Sequence, residues 1–269
     1  MTALLETENL VKEFGGLVAT DHVNLEIQEG ELLSLIGPNG AGKTTLFNLL
    51  TGVLEPSAGT VEFREDDGWA DVTDYAPHET ALAGVHRSYQ ITNVFATSTV
   101  LENVRIAAQA AGGDSWRAWR NVGAFPEYER EAREILERVG LADDADSTAE
   151  TLSHGEKRNL EVAIALAGDP DVLLLDEPTA GVSSDGIGAL TDLIDDIAAD
   201  HAVLLVEHNM EVVMEVSDRI AVLHQGSLIA DDEPTAIRNS ERVQDAYLGG
   251  YEREEPTGTG DGAAGGEAA

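Results

Sequence analysis

The 269-residue chain has no cysteine, so it carries neither a disulfide framework nor a thiolate metal site, and its redox compartment is left open. Aromatic residues make up only 5%, and lysine occurs three times, as Lys12, Lys43 and Lys157. Positive charge is scarce altogether: 16 Lys and Arg stand against 51 Asp and Glu, a formal net charge of −35. Such an excess argues against a nucleic-acid partner or a broad anionic-membrane footprint, because an acidic face repels phosphates. No apolar run approaches the roughly 18 residues needed to span a bilayer, and "MTALLETENL" lacks the basic and apolar regions of a signal peptide. The expectation is a soluble chain that stays in the cytoplasm. Self-repulsion of this size is relieved when salt shortens the Debye length to about 3 Å at 1 M, which points to a halophile's cytoplasm; an ordinary acidic protein is the blander alternative.

The length allows one large domain or two small ones, and the sheet signals favour one. From 4 to 36, "LLETENLV", "VNLEI" and "LLSLIG" read as strands separated by polar turns, a small sheet leading into a glycine loop. Residues 59–75 read as a further strand with a charged turn, and a mostly helical middle follows. In "PEYEREAREILERVGL" the residues Tyr128, Ala132, Ile135, Leu136 and Val139 share one helical face, with Gly140 at its end. Between 171 and 206 the strands "VLLLD" and "AVLLVE" flank the helical "IGALTDLIDDIAAD", the pattern of two parallel strands with a crossover helix. "IAVLHQGSLIAD" resembles a hairpin, and Ile237, Val243 and Leu248 suggest one last amphipathic helix ending near Gly249. The acidic, Gly/Ala-rich tail, 251–269, has almost nothing to bury and is expected to be disordered.

The glycine loop carries the strongest chemistry. In "LIGPNGAGKTTLFNLL", residues 35–50, an apolar strand run precedes the loop, and Leu46, Leu49 and Leu50 recur at helical spacing after it. Gly37, Gly42, Lys43 and Thr44 fit G-x-x-x-x-G-K-[ST], whose glycines let successive N–H groups turn inward onto phosphate oxygens. The helix start adds positive dipole, Lys43 can reach the β- and γ-phosphates, the Thr44 hydroxyl suits Mg²⁺, and Thr45 supports the helix start. A glycine turn without a ligand would need neither the strand before it nor the helix after it.

Two carboxylates, Asp176 and Glu177, end the buried strand "VLLLDEP". Adjacent side chains diverge, so Asp176 can hold Mg²⁺ through its water shell while Glu177 polarises an attacking water as general base; read alone, the pair is also an ordinary strand exit. His208, after "LLVE", could donate to the γ-phosphate, although a lone histidine behind a strand is usually structural. In "LSHGEKR" Ser153 and Glu156 are three apart before a helix, a capping-box pattern that also makes a second phosphate-binding helix end, about 110 residues from Lys43.

Taken together, "GPNGAGKTT" (Gly37, Pro38, Asn39, Gly40, Ala41, Gly42, Lys43, Thr44, Thr45), Gln90 in "RSYQ", "LSHGEKR", "VLLLDEP" and His208 resemble, in order and spacing, the ATP-binding subunit of an ABC transporter. A Ser-x-Gly-Glu helix start about twenty residues before "LLLDEP" marks this family among P-loop proteins. The resemblance implies an α/β P-loop NTPase cassette over 1–250, with a RecA-like parallel-sheet core, an antiparallel β subdomain and a helical subdomain at about 91–165. It also implies ATP and Mg²⁺ as ligands and two cassettes, identical or different, sandwiching two ATPs head to tail. Ser153, Gly155 and Glu156 would then face the nucleotide held by the partner's Lys43. Gln90 would contact Mg²⁺ or the lytic water at the groove that receives integral membrane permease subunits, and Phe14 would stack on adenine.

"FGGLVATDHVNLEI", "ITNVFATSTVLENVRIAA", "AGV" after "DEPT" and "AYLGG" look like the branched-chain amino acid importers, with urea and amide importers close by. That implies a peripheral place on the cytoplasmic face of the membrane and an extracellular solute-binding protein as an indirect partner. Departures from the common pattern are His154 for glycine, Glu156 for glutamine, Phe14 for tyrosine, and "AGVS" at 180–183 for Ser-Ala-Leu-Asp. The last puts the usual cross-dimer aspartate contact in doubt. Soluble ABC ATPases of repair or translation would carry a long coiled coil or two cassettes, and this sequence has neither heptads nor a repeat. An exporter ATPase ending in a similar "YLG" is the remaining alternative.

Overall fold

The computed structural model describes residues 2–65, 68–88, 94–112 and 126–248. Gln90, Gly249 and the tail 251–269 lie outside them. Among the described residues the chain forms two sheets. The first joins β1 (Ala3–Phe14), β2 (Leu17–Val23), β3 (Glu26–Gln28), β5 (Ala58–Glu65) and β6 (Gly68–Asp71) through antiparallel pairings.

The second sheet has the order β11-β10-β4-β9-β8-β7. Its strands are β4 (Leu32–Ile36), β7 (Val85–Arg87), β8 (Val172–Asp176), β9 (Ala202–Val206), β10 (Arg219–His224) and β11 (Ser227–Asp232). All pair in parallel except the β10–β11 hairpin. In β4, β8 and β9 every residue is buried, which explains why they are apolar apart from Ser34 and the terminal Asp176: both faces of this sheet are covered. Alternate residues divide between two cores. Leu33, Leu35, Leu174 and Leu204 face the first sheet, together with Leu46 and Phe47 of α1 (Lys43–Leu50), whereas Leu173, Leu175, Val203 and Leu205 face the helical layer. Leu46 and Phe47 are fully buried, and each contributes about 1.5–3 kcal/mol of transfer free energy.

The helical layer contains α3 (Val100–Ala111), α4 (Pro126–Arg138), α5 (His154–Leu166) and α6 (Ser184–Ala198). On α4 the face carrying Tyr128, Ala132 and Leu136 is buried, and Gly140 follows with φ +74°, the left-handed turn that stops the helix. The crossover β8-α6-β9 and the β10–β11 hairpin form as the sequence suggests.

Three elements differ from the sequence reading. The run "LLSLIG" does not join the N-terminal strands; β4 pairs with β9 and β10, because strand partnership is set by the tertiary core. A three-residue strand, β7, closes one edge of the parallel sheet, after the short α2 (Pro77–Leu82). The last helix is two, α8 (Pro234–Arg238) and α9 (Glu241–Leu248), since the chain leaves helical geometry at Asn239. A further helix, α7 (Met210–Val216), follows β9 and packs Val213 into a third core with Ile36, Ile220, Ile237 and Val243.

Candidate functional site

The glycine loop lies between β4 and α1, where the sheet's central strand feeds a buried helix. It is tightly packed at Gly37 and Gly42 and open at Asn39 and Gly40. A Cβ at Gly37 would collide with the Leu223 carbonyl oxygen; one at Gly42 would collide with that of Ala19, and Gly42 also needs φ +108°. Both are positions that only glycine fits without strain. Gly226 N–H donates to Ala41 O at 2.9 Å, so the β10–β11 turn braces the loop from outside.

Lys43 is 7% exposed and donates from Nζ to Gly37 O at 2.6 Å and Pro38 O at 3.2 Å. Burial holds its pKa below the usual lysine value, opposed by the charges of Glu177 and Asp176. A cavity of about 380 Å³ opens beside it, lined by Phe14, Leu17 and Val18, by loop residues 39–45, and by Glu177 and His208. Phe14 is half exposed, with Lys12 Nζ 5.3 Å from its ring centroid. An aromatic and aliphatic contribution beside a glycine-loop helix start suits a base and its phosphates.

Glu177 occupies the left-handed region, φ +48°, rare for a residue with a side chain. Its N–H donates to Val206 O at 2.8 Å, and its Oε1 lies 2.8 Å from His208 Nε2. The strained turn is held from behind by Arg158 of α5, which donates to Asp176 O at 2.6 Å, Glu177 O at 2.5 Å and Pro178 O at 3.2 Å and pairs with Glu161 at 2.6 Å. Over-determination of this kind is what lets a strained backbone persist. From the other side the Glu207 carboxylate accepts from Thr179 N–H at 2.7 Å.

Asp176 is buried, and its Oδ2 accepts from Arg87 at 2.6 Å; Arg87 also reaches Asn48 Oδ1 at 2.6 Å and lies over the Phe47 ring. Among the described residues no three His, Cys, Asp or Glu side chains group as a metal site. Thr44 and Asp176 supply one hydroxyl and one carboxylate. Such a sparse oxygen set fits Mg²⁺, which characteristically takes its remaining ligands from nucleotide phosphates and water.

Ser153, Gly155 and Glu156 do not face this cavity. They stand at the start of α5, with Ser153 and Gly155 lining a separate cavity of about 360 Å³ together with Gly181 and Val182. Ser153 N–H donates to Glu156 Oε2 at 2.7 Å and Glu156 N–H to Ser153 Oγ at 3.3 Å, the reciprocal cap that the spacing suggests. The backbone hydrogen bond from Ser153, and then its side-chain bond, hold the Glu156 carboxyl below the usual glutamate range. The Ser153 hydroxyl thus both accepts from the Glu156 N–H and donates to the Glu156 carboxylate.

The geometry thus brings Phe14, residues 39–45, Glu177 and His208 together, with Gly37 and Pro38 behind the lysine and Asp176 beside it, and leaves the α5 start apart. Gln90 lies outside the described residues. Sequence reading passed over Arg87, Asn48, Arg158 and Glu207. All four lie inside the motifs given above, but nothing in the local sequence reveals which distant groups they reach.

A phosphate loop at the end of a parallel strand, with an Asp-Glu pair at the same end of the next strand but one, defines a P-loop nucleotide-binding protein of α/β architecture. Residues 20–180 match the ABC transporter family, and the chain belongs to that family. Residues 227–253, from β11 onward, match the description "Branched-chain amino acid ATP-binding cassette transporter". Across 253 residues the chain is 40% identical to the high-affinity branched-chain amino acid transport ATP-binding protein LivG of Salmonella typhimurium, covering 91% of this chain and 98% of that protein. Among solved structures it is similar to the ADP conformation of MJ1267, an ATP-binding cassette of an ABC transporter, with TM-score 0.82, 30% identity, and coverage of 93% of this chain and 100% of that one. A dimeric structure of the ATP-binding cassette MJ0796, bound to ADP and Pi, gives TM-score 0.71 at 25% identity, over 86% of this chain and 99% of that one. ATP hydrolysis that powers transport is the activity of this family, and the chain is an ATPase of it.

Proposed function

We propose that this ATPase is the motor subunit of an importer for branched-chain amino acids, docked on permease subunits at the cytoplasmic face of the membrane and served by an extracellular solute-binding protein. The observation that carries the motor assignment is the cavity that unites Lys43, Glu177 and His208. Similarity to LivG over nearly the whole chain, together with the match at 227–253, supports the substrate class. In this reading residues 1–250 form one ATP-binding unit with a helical subdomain at about 91–165.

Each residue then has a defined task. Backbone N–H groups of 39–45 and the Lys43 ammonium bind the β- and γ-phosphates, and Phe14 carries the base. Thr44 and Asp176 would hold Mg²⁺, which neutralises phosphate charge. Glu177 takes the proton from an attacking water, and His208, hydrogen-bonded to Glu177, orients that carboxylate and donates to the γ-phosphate. Gln90 would contribute an amide to the metal or the attacking water. Ser153, Gly155 and Glu156 complete the site of a second cassette, consistent with their separation from the chain's own loop and with the dimeric relative.

Glu177→Gln keeps the shape and loses the base, so turnover is expected to fall about 10²- to 10⁴-fold while ATP binding survives. Light scattering after size exclusion, at high salt with MgATP, should show that variant as a dimer, alone or with a co-expressed second cassette. ADP should not support it, and Ser153→Arg should abolish it. Wild-type turnover in Glu177→Gln would remove it as the base; a monomer with every candidate partner would reject the sandwich. Uptake of labelled leucine against labelled urea, in cells lacking the gene, decides the substrate class.

A further inference from the structure

β8 and β9 are held in parallel register as far as Asp176 and Val206, and Glu177 N–H still reaches Val206 O. Beyond that point the ladder ends and the two strands run into separate turns, one carrying Glu177 and the other His208. One side chain continues the connection. Glu207 is 3% exposed; its Oε1 accepts from Thr179 N–H at 2.7 Å, and its Oε2 accepts from the N–H groups of His208 at 3.0 Å and Asn209 at 3.3 Å.

We propose that Glu207 is a positioning residue for hydrolysis, setting the distance between Glu177 and His208 by tying their two turns to one buried carboxylate. This rests on the roles given above to Glu177 and His208. A carboxylate offers acceptors on both oxygens, so it can serve donors on opposite sides at once, and charge makes those bonds stronger than neutral ones. An amide in its place has one oxygen, and its NH₂ would face an N–H on the other side. One turn would be released. Loss of alignment by about 1 Å can cost on the order of 10²-fold in rate without weakening the binding of a substrate held elsewhere. Here the phosphates are gripped by the glycine loop and Lys43, which Glu207 does not touch.

The test is a double-mutant cycle on the full chain, with steady-state ATPase kinetics of Glu207→Gln, His208→Ala and the pair. Glu207→Gln is expected to lower kcat about 10- to 100-fold with KM for ATP within about twofold, and to leave MgADP affinity unchanged by calorimetry. In the His208→Ala background the same change should lower kcat less than about twofold, because the geometry it controls is already lost. A merely structural role predicts the same factor in both backgrounds, and that result would overturn the proposal, as would a rise in KM that matches the fall in kcat. Wild-type kcat in His208→Ala alone would overturn the role of His208 and this inference with it, whereas an impaired His208→Ala with independent effects overturns only the inference. If Glu207→Gln does not fold, Glu207→Asp, which keeps the charge on a shorter stem, enters the same cycle; failure of both to fold would assign Glu207 to the fold alone.

Discussion

Lys43 donates to two carbonyls of the loop it closes, in surroundings that disfavour its charge, and the acidic pair nearby partly offsets that penalty. Phosphates brought alongside would restore the balance. Removal of a charged donor costs about 1.5–3 kcal/mol, so Lys43→Ala is expected to weaken ATP binding roughly 10- to 150-fold by calorimetry. The pH dependence has a fixed sign. The ammonium is the binding form and its pKa is lowered, so wild-type ATP affinity should begin to fall, as pH rises, earlier than an ordinary lysine's value of 10.5 predicts. The Lys43→Ala variant should lack that decline. Glu177 differs in that its side chain was legible as a carboxylate at a strand end, whereas its left-handed backbone and the fan of bonds from Arg158 were not. Those depend on a helix that starts more than twenty residues earlier in the chain.

At the scale of elements, the stretches that could be read were those whose pattern is local. The phosphate loop, each element of the β8-α6-β9 crossover and the buried face of α4 show their pattern within a single short stretch of chain. β7 has three residues and no period to detect, and it is a strand because β8 offers it an edge. The neighbours of β4 were equally invisible, since a mostly apolar run specifies burial on both faces without naming a partner. Tight packing of the glycine loop at Gly42 makes a direct test: Gly42→Ala puts a Cβ against the Ala19 carbonyl in a left-handed conformation, so both the melting temperature and ATP affinity should drop.

A second element-scale test concerns Arg219 at the start of β10. Its Nε lies 3.2 Å from Glu31 and 3.1 Å from Asp231 without an aligned hydrogen bond. Burial pushes the Glu31 and Asp231 carboxyls up, against the pull of Arg219 and, at Glu31, of the Gln28 backbone bond. A raised native pKa means the folded state keeps its proton longer, so this group's contribution turns destabilising as pH rises from about 4.5 through the native value. The melting temperature of Glu31→Gln minus that of wild type should therefore grow with pH across that window, then level off.

For the whole molecule the dominant quantity is the net charge of −35. We propose that the fold is built for high salt: thermal stability should rise strongly from about 0.1 to 2 M KCl, as screening shortens the range of like-charge repulsion, and a flat or falling melting temperature would reject this. No described helix is long and apolar enough to cross a membrane. Arg158 has a consequence at this scale as well. It stands five residues after Ser153, roughly 7.5 Å along the helix axis, and grips three consecutive carbonyls of the turn bearing Glu177. Helix start and turn are therefore one stiff lever. In the head-to-tail pair proposed above its far end would rest on the nucleotide of the opposite subunit, so neither of the two sites could tilt its base without the other feeling it, and two hydrolysis events would be timed by a matched pair of such linkages, one in each subunit.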